Sequence, residues 1–303
     1  MKSSRRTVRV LIGAVVVVVV EIALFGAAGA ASTRAQTNHL ELWMGTVTTP
    51  RTSTVAVSFS GNVTSIDTGL SAQEFSASSG SSTVWRADTG GGISNPSSAT
   101  VTFPKLTPKG SGELYFGYDT TANTASAGAT SGFHYAITAN DDVVAYDANV
   151  SSAAQPTARQ SGDLGTSGGV SGGLAVLVIA SDSSANPSLT ISAVGALATE
   201  DANNTTTLAV SPRQPGDLLV LAVRVQGPTS ITASSVSGGG VSTWTPVEGP
   251  RTGYAAQGAG TLSNALLGAF LIVFVALIVF GIVVLIRQRR SKTAGSPALP
   301  APS

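Results

Sequence analysis

The chain of 303 residues contains no cysteine, which excludes internal disulfide bonds and thiolate metal sites. It has only two histidines, His39 and His134, and no suitably spaced third ligand accompanies them, so a zinc site is not indicated. Charged residues make up 11% of the chain and aromatic residues 6%. Any folded part must therefore be held together mainly by the packing of aliphatic side chains.

Charge is distributed unevenly, although the net charge is only +1. Basic residues cluster at the two ends of the chain, whereas 8 basic and 15 acidic residues lie between Gln36 and Leu262. Nucleic-acid binding requires a positively charged surface. The acidic middle of the chain therefore argues against a nucleic-acid partner.

The N-terminal segment has the organisation of a secretory signal peptide over residues 1–30. A basic stretch, MKSSRRTVR, precedes an apolar run over residues 10–20, and Ala28-Gly29-Ala30 matches an A-x-A cleavage pattern. Glu21 is unusual there, because a carboxylate in an apolar helix is costly to insert into a membrane. An uncleaved membrane anchor is therefore the alternative.

A second hydrophobic segment, residues 265–286, predicts one transmembrane helix. Its 22 residues carry no charge, and as a helix they would span about 33 Å, close to the thickness of a bilayer core. The basic stretch RQRRSK follows at once, which places residues 287–303 in the cytoplasm as a short tail. We therefore predict a single-pass cell-membrane protein whose region before the span, ending in a linker over residues 251–264, is extracellular.

The extracellular region, residues 36–250, is predicted to form an all-β, antiparallel β-sandwich of the jelly-roll type. Period-2 alternation places Val55, Val57 and Phe59 on one face of a strand, and similar patterns recur between Gly- and Ser-rich turns. Two longer apolar runs, GGLAVLVIAS and GDLLVLAVRVQG, predict central strands that are buried on both faces. No amphipathic helix of useful length is indicated there.

The order of these strand patterns resembles a jelly-roll module of large secreted bacterial surface proteins, with its two halves exchanged. In that module a segment like GDLLVLAVRV…SSVSGGGVSTWTPV comes first, and segments like LELWMGTVTT…TVAVSFSG…LSAQEFSA and GGLAVLVIAS follow. Here the corresponding halves lie at about residues 188–248 and 38–181. The resemblance implies a circularly permuted sandwich and implies no activity.

The exchanged order makes a specific prediction about strand pairing. LELWMG, near the start, should pair with GVSTWTPV, from the far end, because the two segments resemble neighbouring strands of that module. A permutation of this kind is physically reasonable, since domain termini usually lie close together. A truncated module with two incomplete halves is one alternative. Two separate small sandwiches are another.

The sequence predicts no catalytic residues. G-x-S-x-G occurs twice, at residues 165–169 and 169–173, but a nucleophile elbow needs a helix after the serine, and a strand follows here. Two carboxylates on strands, Glu41 and Glu74, leave a carbohydrate-active enzyme related to glycoside hydrolases as the alternative function.

Candidate binding and metal residues are few. Trp85, beside Arg86 and Asp88, is the tryptophan most suited to an exposed binding role, whereas Trp43 and Trp244 are expected in the core. Asp88 precedes Gly90-Gly91-Gly92, as expected of a loop. Three acidic residues lie at the ends of the pattern DVVAYD and suggest calcium as the only cofactor to consider: Asp141, Asp142 and Asp147.

The sequence thus predicts a membrane-anchored, non-enzymatic cell-surface protein. Its β-sandwich ectodomain would act in adhesion, recognition or envelope structure, with the lipid bilayer as one partner and a cell-surface glycan or protein as the other. Fold alone does not decide between binding and catalysis, since sandwiches support both.

Cleavage of the signal peptide is directly testable. Because the A-x-A pattern ends at Ala30, N-terminal sequencing of the membrane-extracted protein should start between Ala31 and Gln36. A start at Met1 would show that the segment is an uncleaved anchor.

Overall fold

A computed structural model describes residues 36–64, 66–161, 169–182, 189–227 and 230–256, all within a unit that runs from Arg34 to Ala256. The predicted signal peptide, transmembrane helix and cytoplasmic tail lie outside the described residues. Within those ranges, no helix is both long enough and apolar enough to cross a membrane. The helical structure described there is one 3₁₀ turn at Gly80–Ser82.

Sixteen strands occur in the described part of the chain. In chain order they are β1 (Gln36–Val47), β2 (Ser53–Phe59), β3 (Asp67–Ala77), β4 (Val84–Ser98), β5 (Thr100–Thr102), β6 (Glu113–Thr121), β7 (Ala125–Ser126), β8 (His134–Ile137), β9 (Val143–Val150), β10 (Thr157–Gln160), β11 (Gly169–Ser181), β12 (Ile191–Asn203), β13 (Thr207–Val210), β14 (Leu218–Gly227), β15 (Ala233–Gly238) and β16 (Val241–Ala256).

The strands form four antiparallel sheets. Sheet A has the order β12-β3-β14-β1-β16, and sheet B has the order β4-β11-β6-β9-β8. Two three-stranded sheets accompany them, which we name cover A (β13-β2-β15) and cover B (β5-β10-β7). The prediction of an antiparallel β-sandwich is confirmed.

Three hydrophobic cores separate four layers. The inner core lies between sheets A and B and includes Leu42, Phe75 and Phe116. The second core joins sheet A to cover A, and the third joins sheet B to cover B. Sheets A and B are therefore covered on both faces, which accounts for strands without a polar face.

The two continuous apolar runs lie at inner positions of these sheets, as predicted. In β11, Val176 faces the inner core while Leu177 faces the third core, and neither is exposed. β14 holds the corresponding position in sheet A, between β3 and β1. Each of these two strands therefore contributes side chains to two cores. Burying each such side chain stabilises the fold by roughly 1.5–3 kcal/mol.

The predicted pairing of the first strand with the last is confirmed. β1 lies between β14 and β16, with Met44 opposite Thr245 and Gly45 opposite Trp244. β3 likewise lies between β12 and β14. Strands from both halves of the chain alternate in sheet A, so the alternative of two separate sandwiches is wrong.

Two local predictions are corrected by the structure. β16 continues to Ala256, past the boundary predicted at residue 250. Gly90-Gly91-Gly92 lies inside β4 instead of in a loop. A Cβ atom at Gly90 would collide with the Glu248 carboxylate, and one at Gly92 would collide with the Arg251 side chain. The glycines therefore let β16 pack closely on β4.

The alternation of the two halves predicts that the first half cannot fold alone. In a fragment spanning residues 38–181, β1, β2 and β3 would each lose both neighbouring strands. Exposing several hundred Å² of apolar surface at about 25 cal/mol per Å² costs on the order of 10 kcal/mol, comparable to the stability of a whole domain.

We expect the 38–181 fragment to show no cooperative thermal transition by circular dichroism, whereas the Arg34–Ala256 unit should show one. Adding a fragment of residues 187–258 should restore the transition. A cooperatively melting 38–181 fragment would contradict the dependence of the first half on the second.

Candidate functional site

A buried arginine organises the main cluster of charged side chains. Arg224, on β14, is 1% exposed, and its Nη2 donates hydrogen bonds to both carboxylate oxygens of Asp201 at 2.9 and 2.8 Å. The same nitrogen donates to Asp67 at 3.1 Å, and Nε lies 3.2 Å from an oxygen of Asp142. A buried guanidinium needs such partners, because an unpaired charge in the core is strongly destabilising.

This Arg224 cluster connects the two central sheets. Asp67, Asp201 and Arg224 belong to sheet A, whereas Asp142 lies just before β9 of sheet B. Asp142 accepts hydrogen bonds from the Tyr118 hydroxyl at 2.7 Å and from the Thr121 backbone N–H at 3.1 Å. The cluster thus fixes the position of one sheet relative to the other.

The cluster contains more carboxyl groups than cations. Burial raises the pKa of Asp142 to about 6, although Arg224 opposes the shift. Burial also raises the pKa of Asp201 to about 7, and a hydrogen bond with the Asp67 carboxyl adds to that shift. Since two carboxyl groups can share a hydrogen bond only through a proton, the cluster retains protons near neutral pH.

The three aspartates predicted to bind calcium do not form a ligand set. Asp142 is engaged by Arg224, Asp141 is exposed with φ of 60°, and Asp147 accepts a hydrogen bond from the Asn149 backbone. Within the described ranges, no three acidic or histidine side chains are grouped to hold a metal ion.

The prediction of an exposed Trp85 is wrong. Its side chain is 7% exposed, lies in the inner core, and donates a hydrogen bond from Nε1 to the Gly216 carbonyl at 2.7 Å. Arg86 is exposed, because successive side chains of β4 point to opposite faces. Asp88 is buried beneath Lys109, whose Nζ lies 2.7 Å away. Trp85, Arg86 and Asp88 therefore do not form a binding surface together.

The other described residues noted in the sequence pack against neighbouring side chains or form hydrogen bonds. Trp43 and Trp244 are buried in the second core, as predicted. Ser171, in the second G-x-S-x-G, is buried within β11 and hydrogen-bonded by Asn95. The serine of the first match lies outside the described residues. His134 is exposed and stacks on Tyr146.

A cavity of about 340 Å³ opens between sheet A and cover A, beside the edge strand β12. The pairing of β12 with β3 is interrupted between Val194 and Ala198, and this irregularity forms one wall. The lining consists of Ala72, Glu74, Val194, Gly195, Ala196, Ala198, Ala209, Val210, Ser211, Pro212, Arg213 and Leu219. We call this cavity the β12 pocket. A second described cavity, of about 270 Å³, has no charged side chain in its lining.

The β12 pocket contains one buried acid. Glu74, on β3, accepts a hydrogen bond from the Arg213 backbone N–H at 2.7 Å. Its carboxyl group is also hydrogen-bonded to that of Asp217, and burial together with this contact raises the pKa of Asp217 to about 7. The pair joins β3 to the turn before β14.

The sequence predicts only part of this pocket. Glu74 is recognisable as a carboxylate on a strand, but no pattern singles out Arg213, or Asp217 behind Glu74. The turn-forming stretch PRQPGD was the available signal, and it gives no indication of which strand the turn packs against.

The pair formed by Glu74 and Asp217 does not have the geometry of a glycoside hydrolase. Such enzymes hold their two carboxyl groups about 5–10 Å apart, so that a sugar or a water molecule fits between them. A direct hydrogen bond is much shorter. Glu41, the other carboxylate noted in the sequence, is bound by the Trp43 indole and the Ala233 backbone instead.

Comparison of the chain with protein-family models, with curated protein sequences and with solved structures finds no match. The interpretation of the β12 pocket therefore depends on its own chemistry.

The protonated aspartates predict that stability falls as the pH rises. For Asp142 and Asp201 the pKa in the folded protein is raised above the ordinary value of 3.8. Their contribution to the free energy of unfolding is therefore fully present below about pH 4. It is lost as the pH rises through about 6–7. The melting temperature of the purified protein should therefore be higher at pH 5 than at pH 8.

Two matched substitutions test the origin of this effect. Asp201→Asn keeps a neutral side chain at every pH and should reduce the difference in melting temperature. Asp147→Asn makes the same chemical change away from Arg224 and should leave the difference unchanged. A melting temperature that is constant or rises from pH 5 to pH 8 would contradict the assignment.

Proposed function

We propose that this protein is a single-pass cell-surface protein whose β-sandwich ectodomain acts in adhesion, recognition or envelope structure. The observation that carries the proposal is the order of features in the chain. A signal-like segment precedes the β-rich region, and an uncharged run of 22 residues followed by RQRRSK comes after it.

The fold is compatible with a role outside the cell. It is built from three hydrophobic cores and the Arg224 cluster, without any cysteine. Such a fold does not depend on the redox state of its surroundings. The partner we propose is a cell-surface glycan or protein, in addition to the lipid bilayer. The excess of acidic residues between Gln36 and Leu262 argues against nucleic acid.

We also propose that the ectodomain is a permuted jelly-roll module of the kind found in secreted bacterial surface proteins. Support comes from the pairing of β1 with β16, which brings together strands that would be neighbours in the unpermuted module. The alternative function, glycoside hydrolysis, gains no support from the contact between Glu74 and Asp217, because that contact leaves no room for substrate.

Membrane display can be tested by cysteine labelling, for which a natural chain without cysteine is the ideal background. Thr49→Cys places a thiol at an exposed position after β1, and Ser296→Cys places one in the predicted cytoplasmic tail. On intact cells, a membrane-impermeant maleimide should label Thr49→Cys only.

After permeabilisation, both variants should react, whereas the unmodified protein should never react. Labelling of Ser296→Cys on intact cells, or release of the protein from membranes by carbonate washing, would contradict the proposed display.

A further inference from the structure

The β12 pocket combines one acidic and one basic side chain with an aliphatic wall. Glu74 contributes the carboxyl group from β3, while Arg213 contributes a guanidinium from the turn between β13 and β14. Glycine has no Cβ atom, but one added to Gly195 of β12 would lie 3.5 Å from Arg213 Nη2. The arginine side chain therefore extends toward β12, along the pocket that both residues line.

The basic group is free to bind a ligand. Arg213 is exposed, and it forms no ion pair with any carboxylate in the described part of the chain. A guanidinium without a partner presents several N–H donors in a fixed plane, which suits a carboxylate.

The acidic group can accept a further hydrogen bond. Glu74 is 7% exposed, and one of its oxygens already accepts the Arg213 backbone N–H. A carboxylate oxygen has two acceptor sites, so a donor arriving in the pocket can be bound as well. Asp217, behind Glu74, is hydrogen-bonded to it and helps to hold its carboxyl group in place.

The rest of the lining is mostly aliphatic and includes Ala72, Ala198 and Leu219, and Ser211 adds one hydroxyl group. No aromatic residue lines the pocket, so it lacks the flat surface on which sugar rings stack. Its volume of about 340 Å³ is near the lower end for ligand sites, which run from about 300 to 1,000 Å³. The pocket therefore suits a small ligand with a short aliphatic group.

We propose that the β12 pocket binds a free α-amino acid with an aliphatic side chain. The ammonium group would bind Glu74, the carboxylate would bind Arg213, and the side chain would contact the alanines and Leu219. This inference rests on the proposed function, since it names the ligand class of a recognition ectodomain.

Binding can be measured by titration calorimetry of the purified full-length chain with three related probes. L-leucine carries both charges, 4-methylpentanoate lacks the ammonium group, and 3-methylbutylamine lacks the carboxylate. Removing either charge-assisted contact should weaken binding about tenfold or more. Equal affinity for leucine and either truncated probe, or no saturable binding of leucine, would overturn the proposal.

Substitutions locate the binding in the pocket. Arg213→Gln should weaken leucine binding about tenfold while leaving 3-methylbutylamine nearly unaffected. Arg159→Gln makes the same change at an exposed position of cover B and should have no effect. Ala198→Leu should block all three probes by filling the pocket.

Thermal melting of each variant checks that the fold is retained. Leucine binding that survives both Arg213→Gln and Ala198→Leu in folded protein would place the ligand elsewhere and refute the assignment. These measurements use purified protein, so they are independent of the labelling of intact cells that tests membrane display.

Discussion

The burial of Arg224 is the constraint on which the arrangement of the two central sheets depends. A guanidinium in the core must be neutralised, and the carboxyl groups that do so come from β3, from β12 and from the turn before β9. Satisfying one side chain therefore fixes three segments, two in sheet A and one beside sheet B. The cluster has more carboxyl groups than cations, and protonation neutralises the excess. The stability that the cluster provides therefore depends on pH near neutrality.

Around that cluster, hydrophobic packing is shared among three cores instead of one. β11 and β14 each contribute side chains to two cores, so both must be apolar along most of their length. Glycines in β4 remove side chains where Glu248 and Arg251 of β16 approach. A chain without disulfide bonds thus builds a four-layered structure from apolar burial, close backbone packing and one internal ion cluster.

The β12 pocket arises where regular pairing ends. β12 is an edge strand of sheet A, and the interruption of its ladder near Gly195 opens a space that cover A does not fill. Glu74 and Arg213 reach this space from a strand and a turn that are 139 positions apart in the chain. The lining includes Ala72, Val210 and Leu219, which also belong to the second core, so the pocket shares side chains with the packing of cover A on sheet A.

The sequence by itself determined the β class and the two doubly buried strands, because alternation and apolar runs report burial directly. The pairing of β1 with β16 was expected from the resemblance to a module whose halves are exchanged. It also predicts the membrane segments, which lie outside the described residues. Only the tertiary structure decided that Trp85 is buried and that Arg224, Asp67, Asp142 and Asp201 meet. The same holds for the contacts that Glu74 makes with Arg213 at the pocket and with Asp217 behind it. Arg224 and Asp67 are 157 positions apart, and no local pattern encodes which distant side chains a fold brings into contact.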